Sequence, residues 1–163
     1  MQLNEGLTKH ILIVEDEGLI AADVQKKLVR LGYPIPAIAQ SGVEALRCAR
    51  STPFDLALMD IRLKGDMDGI ATAEALKTEF EIPVVYMTAH SDPETIGRAK
   101  LTEPLGYLLK PITDGDLRSV VPISLSVTRW RGAYAPAKPG SPPHCAVSET
   151  ASWLPIPRAK SSS

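Results

Sequence analysis

Short apolar runs alternate with amphipathic stretches along most of the chain. The runs are His10–Val14, Ala37–Ala39, Phe54–Met59, Pro83–Met87 and Gly106–Leu109. Successive residues in them are apolar, so both faces are apolar, which predicts parallel strands covered by helices on each side. Between the first two runs, Ile20, Val24, Leu28 and Leu31 recur at helical spacing and stop at Gly32. Val43, Leu46 and Ala49 mark a second helix, and Ile70, Ala73, Leu76 and Phe80 a third that ends before Pro83. A fourth is expected from Asp92 to about Leu101, with Ser91 as its cap and Pro93 at an early position. A fifth starts at Asp114 and runs toward Val121. Strands and helices in strict alternation predict an α/β fold with a doubly wound, five-stranded parallel sheet.

The pattern then breaks. Pro122 follows Leu117, Val120 and Val121. A proline inside a helix loses a hydrogen bond and clashes with the preceding turn, at a cost of about 3 kcal/mol. The fifth helix is therefore expected to be shortened, and residues 123–130, ISLSVTRW, alternate as a strand would, without an evident partner. From Arg129 to Ser163 prolines and serines dominate, and five basic residues against the single acid Glu149 give this stretch about +4. With the whole chain at −1, the body carries about −5. The organisation expected is a folded domain over 8–121, a helix end or linker over 122–128, and a disordered basic tail over 129–163.

Composition narrows the class. At 163 residues, 44% hydrophobic and 23% charged, the chain suits one globular domain. No apolar run approaches the roughly 20 residues that span a membrane, and the first ten residues hold no apolar stretch of the secretory kind. A cytoplasmic protein is expected, with no membrane and no direct nucleic-acid partner. Cys48, Cys145 and three histidines show no zinc-ligand spacing, and the cysteines read as free thiols.

The chemistry gathers at the strand ends, because ligands of open parallel sheets bind outside the carboxyl edge. The first strand ends in Glu15-Asp16-Glu17, the third in Asp60, the fourth in Thr88-Ala89 and the fifth in Lys110-Pro111. Crowded carboxylates need a cation, and an all-oxygen set suits Mg2+. An Asp beside such a metal and a Lys is a plausible nucleophile toward phosphorus. Asp66-Met67-Asp68-Gly69 resembles part of a calcium loop but lacks the other ligands, and is read as a turn into the third helix.

The stretches ILIVEDE, LALMDIRLKGDMDGI, VVYMTAHSD and GYLLKP together resemble a response-regulator receiver domain of two-component signalling. The resemblance implies a flavodoxin-like receiver fold and a signalling switch rather than a conventional enzyme, its only chemistry being its own phosphorylation and dephosphorylation. It implies that Asp60 accepts a phosphoryl group from a sensor histidine kinase or a histidine phosphotransfer protein. Glu15, Asp16 and Asp60 would hold Mg2+, with the Arg62 carbonyl as a backbone ligand. Thr88 and Lys110 would contact the phosphoryl group, Thr88 and Tyr107 would form the switch, and Arg62 and His90 would tune its lifetime. The domain would act as a monomer or weak dimer toward an output partner that the sequence does not identify.

Two other classes compete. A receiver-like adaptor would dock a partner through its tail, where Trp130, Tyr134 and Trp153 lie among basic residues, without needing phosphorylation. An Asp-nucleophile phosphohydrolase would want a second acid two residues after the nucleophile, where this chain has Arg62.

Overall fold

The computed structural model describes residues 8–89 and 93–134, giving only the helical backbone for 128–134. Elements follow in the order β1 (Ile11–Val14), α1 (Gly18–Arg30), β2 (Ala37–Ala39), α2 (Gly42–Ser51), β3 (Leu56–Asp60), α3 (Gly69–Phe80), β4 (Val84–Thr88), α4 (Pro93–Leu101), β5 (Gly106–Leu109) and α5 (Asp114–Tyr134). All strand pairs are parallel and the sheet order is β2-β1-β3-β4-β5. This is the doubly wound five-stranded sheet that the apolar runs predicted.

Side chains alternate across a strand, so each central strand feeds two cores. Ile11, Ile13, Leu56, Leu58, Val85 and Met87 meet Val24 and Leu28 of α1 and Leu117, Val121 and Leu125 of α5. Leu12, Val14, Ala57, Met59, Val84 and Tyr86 meet Ala45 and Ala49 of α2, Ile70, Ala73 and Leu76 of α3, and Ala99 of α4. Burial on both faces explains why these strands read as unbroken apolar runs rather than as alternation.

The expected shortening of the fifth helix is corrected. Helix α5 runs for 21 residues, through Pro122 to Tyr134. Its start is secured by reciprocal capping: the Thr113 amide donates to Asp116 Oδ2 at 2.9 Å and the Asp116 amide to Thr113 Oγ1 at 3.1 Å. Pro122 is exposed, whereas Val121, Ser124 and Leu125 are buried. The proline's missing donor thus falls on the water side, and packing on the core side offsets its cost. The alternation seen in residues 123–130 is not a strand, since Leu125 stands one helical turn beyond Val121 and two beyond Leu117. Residues 135–163, to which most of the tail reading applies, lie outside the described residues, as do the side chains of Trp130 and Tyr134.

Candidate functional site

The helix starts and strand ends that flank the carboxyl edge of the sheet are set locally. After β3 the chain must turn tightly into α3, and Gly69 opens that helix with its amide donating to the Ile61 carbonyl at 3.0 Å. A Cβ on Gly69 would come within 1.8 Å of the Asp60 carbonyl oxygen, so only glycine lets the helix start lie against the end of β3. Asp68 caps α3 by accepting from the Ala71 amide at 2.8 Å and also pairs with Arg98 of α4 at 2.9 Å. The reading of this segment as a turn into the third helix, not a calcium loop, fits these partners. The Ile61 amide donates to the Met87 carbonyl at 3.2 Å, and the Lys110 amide to the Thr88 carbonyl at 2.8 Å, so β3, β4 and β5 end in register.

This register brings five of the predicted residues together. Glu15 is fully buried, and Asp60 and Thr88 are almost so. Ligand oxygens of Glu15, Asp16 and Asp60 lie within 4.8 Å of one another. Lys110 Nζ stands 2.6 Å from Glu15 Oε2 and 3.1 Å from Asp60 Oδ2. The Glu17 amide donates to Glu15 Oε1 at 3.1 Å, and the Arg62 amide to Asp60 Oδ1 at 3.0 Å. In front lies an open cleft of about 370 Å³, lined by Asp16, Asp60, Arg62, Lys64, Thr88, Ala89 and Lys110 among others.

Charge in this site is unevenly compensated. Burial pushes the Glu15 carboxyl from its ordinary 4.5 up to about 7; the hydrogen bonds from Lys110 and the Glu17 amide oppose the rise, and Asp60 adds to it. Burial alone would lower the Lys110 ammonium, but its hydrogen bond to Glu15 and the charge of Asp60 outweigh this and hold it above its ordinary value. The asymmetry has a simple origin: one ammonium serves two carboxylates and gains from both, while buried Glu15 shares its cation. Asp16 Oδ2 is buried without a hydrogen-bond partner. An orphaned carboxylate oxygen beside two further carboxylates is a donor set that fits a hard, oxygen-liganded divalent cation.

Tyr107 is not part of the cleft lining. It stands on β5 opposite Tyr86 of β4, half exposed, with ring centroids 5.9 Å apart. Tyr86 itself is fully buried, and its hydroxyl lies 2.8 Å from Thr102 Oγ1, which in turn donates to the Ala99 carbonyl at 2.7 Å. His90 and the proposed cap Ser91 lie outside the described residues. Sequence reasoning passed over Lys64, the Asp68 cap and the Tyr86–Thr102 bond. The cap could have been found from an Asp directly before the apolar-periodic segment; the other two depend on contacts distant in sequence.

The family model for the response regulator receiver domain matches residues 11–122. The chain belongs to the response-regulator receiver family. Receivers of this family are signalling switches rather than conventional enzymes; they bind Mg2+ at an acidic pocket and interact with histidine kinases or phosphotransfer proteins. This receiver is 39% identical over 128 residues to the transcriptional regulatory protein ZraR of Escherichia coli K12, covering 78% of this chain and 29% of ZraR. It is 35% identical over 126 residues to the transcriptional regulatory protein PdtaR of Mycobacterium tuberculosis H37Rv, covering 77% of this chain and 60% of PdtaR. Among solved structures, the signal receiver domain of a modulated diguanylate cyclase from Desulfovibrio desulfuricans G20 superposes with a TM-score of 0.72 at 37% identity, over 75% of this chain and 97% of that one. A CheY-like receiver from Methanospirillum hungatei JF-1 gives 0.70 at 28%, over 77% and 100%. This chain therefore spans less than two thirds of the length of these curated relatives, and what they share is the receiver.

Proposed function

We propose that Asp60 is the phosphoacceptor of this receiver and that its phosphorylation is Mg2+-dependent. A carboxylate oxygen of Asp60 attacks the phosphorus of a phosphohistidine on a sensor histidine kinase or a histidine phosphotransfer protein. The P–N bond breaks, the imidazole leaves with its electron pair, and an acyl phosphate remains on Asp60. The observation that carries this reading is the convergence of Glu15, Asp16, Asp60, Thr88 and Lys110 on one cleft at the carboxyl edge of the sheet. Glu15, Asp16, Asp60 and the Arg62 carbonyl would hold the metal, which when bound neutralises charge on the carboxylates and on phosphoryl oxygens. Lys110, already within 3.1 Å of Asp60 Oδ2, and Thr88, at the end of the neighbouring strand, would take phosphoryl oxygens. Loss of a metal ligand such as Asp16 would weaken the reaction without touching the nucleophile. The setting proposed is the cytoplasm.

The acyl phosphate adds about −1.5 to −2 of charge. Drawing Thr88 and Lys110 toward that charge would bias β4, β5 and the loop between β4 and α4. Tyr107, half exposed on β5, is placed to respond. Two states separated by a few kcal/mol suffice for such a shift. NMR amide shifts on adding a phosphoryl mimic with Mg2+ test the switch. The expected changes spread over residues 88–110; changes confined to the neighbours of Asp60 would argue for a receiver that is phosphorylated but does not switch.

A further inference from the structure

Between β3 and α3, residues 61–64 line the cleft and the chain then turns at Gly65, whose φ is +116°. This loop carries Lys64. The ammonium of Lys110 is committed to Glu15 and Asp60, at 2.6 and 3.1 Å, which leaves Asp16. The buried Oδ2 of Asp16 accepts no hydrogen bond, but Lys64 Nζ lies 3.5 Å from it. That distance is long for a hydrogen bond and short enough for charge pairing. The two partners differ sharply in setting: the Lys64 side chain is 85% exposed, that of Asp16 only 10%. The lysine thus reaches in from water on a flexible four-carbon stem.

We infer that Lys64 is a displaceable counter-cation for Asp16, which answers the carboxylate in the metal-free receiver and must leave it when a divalent cation binds. The inference rests on the proposed Mg2+ site. Mg2+ sits about 2.0–2.1 Å from its ligand oxygens, so it and the ammonium would repel each other at the same carboxylate. Releasing an exposed side chain to solvent is easy, and the effect of Lys64 is to weaken metal binding by whatever its pairing is worth. Exposed ion pairs are weak, so the expected change is modest, about two- to fivefold in affinity.

The test is calorimetric titration of Mg2+ into the unphosphorylated full chain, alongside thermal melts with and without the metal. Lys64→Gln should bind Mg2+ about two- to fivefold more tightly than wild type, and Lys64→Arg should bind as wild type does. Lys26→Gln, which removes an exposed charge on α1 outside the cleft, should leave the affinity nearly unchanged. Without Mg2+, Lys64→Gln should melt below wild type; at saturating Mg2+ the two should coincide. Equal tightening by Lys64→Gln and Lys26→Gln would reduce the effect to net charge and overturn the inference, as would unchanged or weaker binding by Lys64→Gln. Absence of Mg2+ binding by wild type would instead overturn the metal site itself, and this role with it.

Discussion

At the residue scale the site is governed by three clustered carboxylates, two of which, Glu15 and Asp60, share the Lys110 ammonium. Glu15 bears the cost, since it is fully buried and its carboxyl is pushed up to about 7. This has a consequence for pH with a definite sign. Between its ordinary 4.5 and about 7, Glu15 is protonated in the folded chain and ionised in the unfolded one. The folded state then binds more protons, and its stability falls as pH rises. In the absence of divalent cations, wild type should therefore lose stability relative to Glu15→Gln as pH rises from 4.5 through about 7, and the two should be closest at the acid end. Denaturant melts at a series of pH values would show it; parallel stability curves for the two proteins would contradict the burial argument. The positions of Glu15, Asp16, Asp60, Thr88 and Lys110 at the sheet edge were legible in the sequence because each lies within two residues of the end of an apolar run. Lys64 was not, because no periodicity marks a loop residue that pairs with an aspartate in a loop 48 positions away.

At the scale of elements, the reading of strands rested on continuous apolar runs and the reading of helices on spacing. Both hold, because every central strand is covered on two faces and each helix buries one. The fifth helix is the exception. A proline inside a helical pattern predicts a helix end, but Pro122 is exposed and the burial of Val121, Ser124 and Leu125 carries the helix past it. Orientation of this kind emerges only when the helix is seated on the sheet. The proline should still be costly where it stands, because the Arg118 carbonyl, four residues back, receives no helical hydrogen bond from position 122. Pro122→Ala should raise stability by about 1–3 kcal/mol, measured by denaturant unfolding. An unchanged or lower stability would argue that α5 is not a continuous helix across this position.

At the scale of the molecule, sheet order places β1 and β3 side by side, with β4 and β5 following on one side. Residues separated by 95 positions in sequence, Glu15 and Lys110, meet across this edge at 2.6 Å. Parallel topology alone makes that meeting possible, and it is why a family resemblance spread over four short motifs corresponds to one compact site. The Arg98–Asp68 pair and the Tyr86–Thr102 bond tie α4 and the turn after it to α3 and β4. They link α4 with β4 and with the loop between β3 and α3. The switch proposed for this receiver depends on Asp60 being the group that is modified. The most direct measurement is intact-mass and peptide mass spectrometry after incubation with a small phosphodonor and Mg2+, on wild type and Asp60→Asn. The expected result is a single added phosphoryl group on the wild-type peptide that contains Asp60, dependent on Mg2+, and none on the folded Asp60→Asn protein; full modification of Asp60→Asn, or a phosphoryl group on another residue of the wild type, would contradict it.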